Sequence, residues 1–392
     1  MDVKDKIYIV GGKRTPFGKF GGELKEITPV DLAVYASKAA LEECKIKAEQ
    51  IDHVILGNVV PSSTDTLYGG RHLALKIGAL EKTPGYTVNR LCGSGIQAIV
   101  DAGRLIQLGE ADCVLASGAE NMSMVPHLVY GSRFGTKYGP LKSVDMLLDA
   151  LTDQYVQTPM GITAENLAKL FKISRQECDQ YSWESHKKAS TAYQEKKLQA
   201  ELCSIELKRG VLEEDGHMRK DVSLDEMNNL RPTFDKNGTV TAGSASGIVD
   251  GAASVIIASE TFVEKNGLTP LCEILGSSVI GVDPKFMGIG PSPAIKLLLE
   301  KMGKSMKEID LFEINEAFAP QTLACIKDLE LPQEKLNVWG GAIAIGHPLA
   351  ATGTRISLTL ARQLQVLGGK IGIASACIGG GQGIALMLKR VN

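Results

Sequence analysis

Apolar and polar positions alternate along the chain in a way that predicts strands and helices following one another. An apolar run at residues 7–12 ends in two glycines and predicts a buried strand, and the apolar spacing from about Pro29 predicts a helix. Residues 51–57 predict the next strand. Because this alternation continues to Ala116, we expect a largely parallel sheet covered by helices on both faces.

The pattern changes in the middle of the chain. Helical spacing and long polar loops dominate there, including a charged amphipathic helix at 174–198 and a tract at 213–216 whose charges we expect to face solvent. Strand-like runs resume at 252–258. These shifts predict an α/β protein in which a loop domain interrupts two β/α halves, with the boundaries 1–118 plus 250–270, 119–249 and 271–392.

A weak internal repeat relates the two halves. Residues 48–56 resemble residues 306–314, and each segment is followed, about forty residues later, by a predicted strand-to-helix elbow. The first elbow carries Cys92 and the second carries His347. A duplicated unit places such elbows on either side of a pseudo-twofold axis, so we expect these two side chains to face one another.

The first elbow, residues 89–95, has the features of a nucleophile site. A cysteine between a strand and a helix start lies on a tight turn near backbone N–H groups, and the helix dipole lowers the pKa of such a thiol toward neutrality. Two alternatives remain open on this stretch alone. Cys92 can be a buried small hydrophobe, and Gly93-x-Gly95-x-x-Ala98 with Glu120 further on matches a dinucleotide-binding fingerprint, a weak signal by itself.

Four further clusters carry groups that suit catalysis. They are 315–320 with Asn315, 340–348 with His347, 375–383 with Cys377, and the small-residue run 241–247. Each has an ordinary structural explanation when taken alone. Their joint occurrence after predicted strands, at the edge of a parallel sheet where ligands bind, favours one shared active site.

Composition and charge narrow the function classes. Lys and Arg number 43 against 45 acidic residues, so no nucleic-acid or membrane partner is indicated. The eight cysteines are dispersed without a C-x-x-C pair, which argues against zinc sites and a disulfide framework. The sequence carries no transmembrane-length run, leader or C-terminal peroxisomal signal in its first and last residues, and we expect a cytoplasmic protein.

With these motifs together, the sequence resembles the thiolase family, and within it the biosynthetic acetyltransferases that act on acetyl-CoA. The resemblance spans nearly the whole chain and displaces the dinucleotide interpretation. The matching segments are Arg14-Thr15-Pro16, NRLCGSG at 89–95, SGAENMS at 117–123, MGITAEN at 160–166, LRPTFD at 230–235, NEAFA at 315–319, GGAIAIGHP at 340–348 and CIGGGQG at 377–383.

The resemblance implies a five-layered αβαβα fold and a role for each catalytic candidate. Cys92 would carry the acyl group as a thioester, and Cys377 would act as the acid and base at the second substrate. His347 would activate the nucleophile, and Asn315 would hold a water molecule beside it. The N–H groups of Cys92 and Gly379 would stabilise a tetrahedral oxyanion, which we expect to need glycine freedom at Gly379 and Gly380.

The same resemblance implies acetyl-CoA, CoA and acetoacetyl-CoA as ligands, without a metal or redox cofactor, and a homodimer or homotetramer. A guanidinium suits the nucleotide phosphate, so Arg219 is the binding residue that chemistry alone supports. The positions that match CoA-binding residues are Leu151, Met160, Arg219, Ser223, Phe234, Ala242, Ala245, Ser246, Met287, Ala317 and Phe318.

Two departures from the family pattern lie beside the His347 turn, where Trp339 replaces an asparagine and Ala350 replaces a glycine. Both add bulk there. Four rival functions stay open: a 3-ketoacyl-CoA thiolase of broader chain length, a decarboxylating ketoacyl synthase, a Cys-His-Asn hydrolase, and a thiolase-like protein that binds acyl-CoA without catalysis. Cys377 speaks against the synthase, which has no need of it.

Overall fold

The computed structural model describes residues 6–391. The start of the first predicted domain, residues 1–5, and the end of the last, residue 392, lie outside the described residues. Among these residues, no helix has the length and apolar character needed to cross a membrane. The strands are β1 (Ile7–Arg14), β2 (Gly18–Lys19), β3 (His53–Gly57), β4 (Gly85–Val88), β5 (Cys113–Asn121), β6 (His127–Val129), β7 (Ser143–Asp145), β8 (Thr152–Asp153), β9 (Thr158–Pro159), β10 (Ile205–Leu207), β11 (Gly210–Leu212), β12 (Val249–Ser259), β13 (Cys272–Gly281), β14 (Leu311–Ile314), β15 (Ile371–Ile378) and β16 (Gln382–Arg390). The α-helices are α1 (Pro29–Cys44), α2 (Gly69–Ile77), α3 (Ser94–Gln107), α4 (Met146–Ala150), α5 (Met160–Phe171), α6 (Arg175–Gln194), α7 (Leu224–Asn228), α8 (Glu260–Lys265), α9 (Pro291–Met302), α10 (Ala319–Leu329), α11 (Ala342–Ile345) and α12 (Leu349–Leu367).

The main sheet is mixed, and the expectation of a largely parallel sheet is wrong. Its order is β14-β15-β16-β13-β1-β12-β5-β3-β4, with β2 paired to β12. Only β3 with β4 and β5, and β14 with β15, are parallel among the described strands of this sheet. The remaining pairs are antiparallel. Strands β15 and β16 form a hairpin, and the chain returns to the sheet at β12 from the loop domain and not through a single crossover helix.

Helices divide this sheet into the expected five layers. Strands β1, β3, β4, β5 and β12 form one half and β13 to β16 the other, joined where Tyr8 pairs with Glu273 and Ile9 with Cys272. Helices α3 and α12 pack between the halves, α1 and α2 cover the outer face of the first, and α9 covers that of the second. The inner apolar core includes Ile96 of α3, and Ile356 of α12.

The two central helices approach each other through glycines. A Cβ atom on Gly95 of α3 would lie 2.3 Å from the Thr354 nitrogen and 2.6 Å from the Ala350 oxygen of α12. One on Gly353 would lie 2.4 Å from the Ile96 nitrogen. These distances are shorter than side-chain contacts allow, so the crossing needs glycine on both helices. It lies beside both predicted elbows and fixes their separation.

The internal repeat is present in the structure. A 3-10 turn at Ala48–Gln50 precedes β3, and another at Met306–Glu308 precedes β14. Between β5 and β12 lie α4 to α7 and three two-stranded sheets, in the region predicted as a loop domain. The predicted amphipathic helix is α6, which begins at Arg175 with Ser174 as its N-cap. The exact domain boundaries stay a prediction.

The prediction that the charges at 213–216 all face solvent is wrong for Asp215, which is buried. Its carboxylate accepts hydrogen bonds from Arg14 Nη1 at 2.6 Å and Nη2 at 2.8 Å, and from the Phe17 N–H at 2.7 Å. Arg14 also donates to Glu201 at 2.6 Å. A guanidinium buried in β1 needs carboxylates to balance its charge. The polar residues around Asp215 in the sequence do not indicate that Arg14 is its partner.

Candidate active site

The Cys92 turn is a compact structure between β4 and α3. Leu91 adopts a positive φ of 45°, which is uncommon for a residue with a side chain and turns the backbone sharply before Cys92. The Leu91 N–H is held by Asn89 Oδ1 at 2.9 Å, and the Ser94 N–H donates to the Leu91 carbonyl at 2.9 Å. Helix α3 then begins at Ser94. Cys92, a half-buried residue, therefore lies at the elbow that the sequence predicts.

His347 lies in the turn between α11 and α12, so the prediction that it directly follows a strand is wrong. Its backbone N–H donates to the Gly247 carbonyl at 3.0 Å. On the ring, Nδ1 is 2.6 Å from Thr352 Oγ1, and Nε2 is 3.3 Å from Asn315 Nδ2. With Asn315 donating to Nε2, the ring proton is on Nδ1 and is donated to Thr352, which leaves Nε2 as the basic nitrogen.

Asn315 directly follows β14, as predicted. Its N–H donates to the Ser375 carbonyl at 2.9 Å, and its side chain is completely buried. Its Oδ1 makes no hydrogen bond to the residues that the structure describes. This oxygen can therefore accept a hydrogen bond from a water molecule or a ligand beside His347.

The prediction that Cys377 follows a strand is wrong, because Cys377 is fully buried inside β15, one residue before the strand ends, and it is Gly379 that lies in the hairpin turn. Gly380 and Gly381 have positive φ values of 81° and 83°, whereas Gly379 does not have one. The glycine freedom is therefore required one residue later than expected. At Gly379 a Cβ would instead lie 3.2 Å from a Leu91 methyl group, so the close approach of the two loops favours glycine there.

One cavity of about 330 Å³ brings most of the predicted residues together. Cys92, His347, Cys377 and Gly379 lie on its wall, while Asn315 lies behind His347. Nine of the eleven predicted CoA-binding positions line it, together with several side chains that are not among the predicted ones. The full lining is Leu91, Cys92, Met122, Leu148, Ala150, Leu151, Thr152, Pro159, Met160, Gly161, Thr233, Phe234, Thr241, Ala242, Ala245, Ser246, Gly247, Ile248, Met287, Ala317, Phe318, His347, Leu349, Cys377 and Gly379.

The two remaining CoA candidates lie elsewhere on the loop domain. Arg219 lines a second cavity of about 420 Å³ together with Lys220 and Met227. Ser223 is the N-cap of α7, and its hydroxyl accepts from the Glu226 N–H. Both side chains are exposed and lie outside the cavity that Cys92, His347 and Cys377 line.

Burial governs the protonation of the central groups. It raises the pKa of the Cys92 thiol to about 11, against the lowering influence of the Gly379 and Cys92 N–H groups. The pKa of Cys377 is raised well above its usual value by burial and by Cys92 and Cys325. Burial, with a contribution from Arg355, lowers the pKa of His347 to about 3. The expectation that the helix dipole lowers the pKa of Cys92 toward neutrality is wrong, because desolvation of the thiol outweighs it.

The two bulky departures are accommodated away from the imidazole. Trp339 is buried in an apolar cluster with Phe17 and Tyr193. Ala350 packs with Met122 and Leu349, and its carbonyl lies against the backbone at Gly118. The hydrogen bonds of His347 to its neighbours are formed with both residues in place.

Comparison with known proteins identifies relatives over nearly the whole chain. Residues 7–261 match the family model for the thiolase N-terminal domain, and residues 268–390 match that for the thiolase C-terminal domain. The chain is 49% identical to human mitochondrial 3-ketoacyl-CoA thiolase over 98% of both chains. It is 43% identical to an acetyl-CoA acetyltransferase of Cupriavidus necator over 98% of this chain and 99% of that one. A crystal structure of the human enzyme in complex with CoA superposes with a TM-score of 0.97, with 49% identity and 99% coverage of both chains.

Proposed function

Because the chain belongs to the thiolase family and is an acyltransferase, we propose that it joins two molecules of acetyl-CoA into acetoacetyl-CoA and CoA, and catalyses the thiolytic reverse. The observation that carries this proposal is the single cavity onto which Cys92, His347, Cys377 and the Gly379 turn converge. Two thiols and a neutral imidazole in one apolar site suit thioester exchange and carbon-carbon bond formation. No metal or redox cofactor enters the proposed reaction.

The first half-reaction transfers an acetyl group to Cys92. The thiol proton passes to Nε2 of His347 as the sulfur attacks the thioester carbonyl, and the Asn315 side-chain N–H gives up its hydrogen bond to that nitrogen. The N–H groups of Cys92 and Gly379, which already act on the sulfur, stabilise the oxyanion. The C–S bond to CoA breaks, and the leaving thiolate takes the proton of Cys377. The result is acetyl-Cys92, an imidazolium at His347 and a Cys377 thiolate.

The second half-reaction makes the carbon-carbon bond. The Cys377 thiolate removes a proton from the α-carbon of a second acetyl-CoA, and its raised pKa makes it a stronger base for this step. The imidazolium of His347 and a water at Asn315 stabilise the enolate oxygen. The α-carbon attacks the acetyl carbonyl, the bond to Cys92 breaks, and the departing sulfur recovers its proton from His347.

For substrate binding, the apolar lining would hold pantetheine while Arg219 meets the phosphate of the nucleotide. The loop 241–247 is joined to the loop after β14, because the Ser246 N–H donates to the Ala317 carbonyl at 3.0 Å. Phe234 and Phe318 pack edge to face with ring centres 6.1 Å apart. These contacts give one continuous wall from the loop domain to the catalytic residues.

A second candidate is thiolysis of longer 3-ketoacyl-CoA chains. It is favoured by the 49% identity to the human 3-ketoacyl-CoA thiolase and by the apolar wall of Met122, Leu148 and Leu349 near Cys92. Thiolysis rates for acetoacetyl-CoA and 3-ketodecanoyl-CoA discriminate the two. A higher kcat/KM for acetoacetyl-CoA supports the acetyl-specific enzyme, and a higher value for the longer chain favours the broader thiolase.

Three rivals predict other products. Decarboxylation of malonyl-CoA with bond formation would indicate a ketoacyl synthase, and loss of acetyl-Cys92 to water alone would indicate a hydrolase. Binding of CoA without acyl-enzyme would indicate a non-catalytic protein.

The compartment and the subunit number stay predictions: the sequence favours the cytoplasm and a homo-oligomer, while the human relative is named as mitochondrial.

A further inference from the structure

A carboxylate that the proposed reaction does not use is buried beside the active site. Glu120 is in β5 and its side chain has no accessible surface. Its hydrogen-bond partners are four N–H groups and no arginine or lysine among the described residues. Because burying a carboxylate without a cation is costly, its position here calls for a role.

The four hydrogen bonds join two separate parts of the chain. Oε1 accepts from Asn58 Nδ2 at 3.2 Å and from the Val60 N–H at 3.0 Å, and Oε2 accepts from the Val59 N–H at 3.1 Å. These three donors follow β3. The fourth is the Ala350 N–H in the first turn of α12, which donates to Oε2 at 3.1 Å.

Each of these parts supports one of the central catalytic residues. The Val59 carbonyl accepts from Asn89 Nδ2 at 3.0 Å, and Asn89 in turn holds the Leu91 N–H just before Cys92. On the other side, the first turn of α12 contains Thr352, the partner of the His347 ring. The carboxylate therefore connects the support of the nucleophile to the support of the imidazole.

Glu120 also has an electrostatic effect at the site. Burial raises its pKa to about 7, against the lowering influence of the Val60, Ala350 and Val59 N–H groups. The titratable group it acts on is the Cys92 thiol, whose pKa the negative charge raises. The central catalytic groups titrate far from neutrality, with His347 at about 3 and Cys92 at about 11.

We propose that Glu120 is a positioning residue for acyl transfer, whose ionised carboxylate holds the Cys92 turn and the start of α12 at the separation that lets His347 serve the sulfur. The proposal rests on the proposed thioester mechanism. The anion accepts from all four donors, whereas the protonated acid uses one oxygen as a donor. Activity therefore falls as the pH drops through the pKa of Glu120.

The substitution Glu120→Gln tests this charge and geometry with little change in size. Each carboxylate oxygen accepts from two N–H groups, so the amide NH2 must face two donors whichever way it is oriented. Two of the four hydrogen bonds are therefore lost in either orientation: Asn58 and Val60 lose their acceptor in one, and Val59 and Ala350 lose theirs in the other. Asp250→Asn is the matched control, since Asp250 is a buried carboxylate on the neighbouring strand that accepts from the Ser123 N–H and hydroxyl, away from both supports.

The experiment compares the wild type, Glu120→Gln, Glu120→Asp and Asp250→Asn in steady-state kinetics from pH 5.5 to 9, with melting temperatures and the mass of acetyl-Cys92. We expect Glu120→Gln to lower kcat about 100-fold, as for a displacement near 1 Å, with KM for the acyl-CoA substrate little changed. The acidic fall of wild-type kcat near pH 7 should be absent in that variant and present in Asp250→Asn. Glu120→Asp should recover part of the rate together with the acidic fall.

Wild-type kcat and an unchanged acidic fall in folded Glu120→Gln would overturn the proposal. If that variant does not fold, Glu120→Asp decides: a slower enzyme that keeps an acidic fall supports the proposal, and a wild-type rate and profile overturns it. Failure of the proposed function is a separate result, because the wild type itself would then form no acetyl-Cys92.

Discussion

The glycine crossing of α3 and α12 gives a sharp test of how the fold positions the site. In Gly95→Ala the new methyl group would lie 2.3 Å from the Thr354 nitrogen and 2.6 Å from the Ala350 oxygen. Ordinary contacts between such atoms are near 3.4 Å, so the helices must separate by about 1 Å. Overpacking of this kind costs about 1–3 kcal/mol, and backbone obstacles place it at the upper end.

Gly103→Ala, in the same helix, is the matched control. Its Cβ would lie 3.6 Å from an Ile7 methyl group, an ordinary van der Waals contact. Alanine is favoured over glycine inside a helix by about 0.5–1 kcal/mol. We therefore expect Gly103→Ala to raise the free energy of unfolding slightly and Gly95→Ala to lower it by about 2 kcal/mol.

Urea unfolding and steady-state kinetics measure both consequences. Since Gly95 is three residues after Cys92 and packs against the first turn of α12, a 1 Å separation should also lower kcat by about 100-fold. Gly103→Ala should keep kcat. Equal unfolding free energies and equal kcat values for the two variants would refute the claim that this crossing sets the active-site geometry.

Three other predictions follow from the buried polar groups. Asp215→Asn leaves a buried guanidinium underpaired and should lower the unfolding free energy by about 3–5 kcal/mol, against at most about 1 kcal/mol for the exposed Glu214→Gln; equal losses in urea unfolding would contradict this. Thr352→Val removes the acceptor for His347 Nδ1 and should lower kcat about 10- to 100-fold, whereas Thr352→Ser should keep most of it; equal rates would contradict the ring orientation. With a pKa of about 11, Cys92 should be alkylated by iodoacetamide about tenfold faster per pH unit from pH 7 to 9, and a plateau near pH 8 would show that the dipole controls the thiol.

The sequence predicts the placement of the central residues well because local patterns determine it. The Cys92 elbow follows from a strand, a glycine-rich turn and a helix start, and Asn315 follows β14 as expected. The nine lining positions of the CoA set come from the family resemblance and not from local physics. Cys92 and His347 line one cavity because the duplicated halves face each other across α3 and α12.

What the sequence does not reveal depends on contacts between distant segments. The carboxylate of Asp215 is in a polar tract, yet it pairs with Arg14 about two hundred residues away. Strand direction depends on how the insertion returns β12 to the sheet, which periodicity does not encode. The pKa of Cys92 depends on desolvation by the segments around it, and the four donors at Glu120 come from segments far apart in the chain.

The central claim is that Cys92 carries the acyl group and Cys377 makes the carbon-carbon bond possible. Its most direct test is the intact mass of the wild type, Cys92→Ser and Cys377→Ser after brief exposure to acetyl-CoA, with acetoacetyl-CoA measured in parallel. We expect one acetyl group on the wild type and on Cys377→Ser, none on Cys92→Ser, and acetoacetyl-CoA from the wild type alone. A wild type that binds CoA but gains no acetyl group on Cys92 would contradict the account.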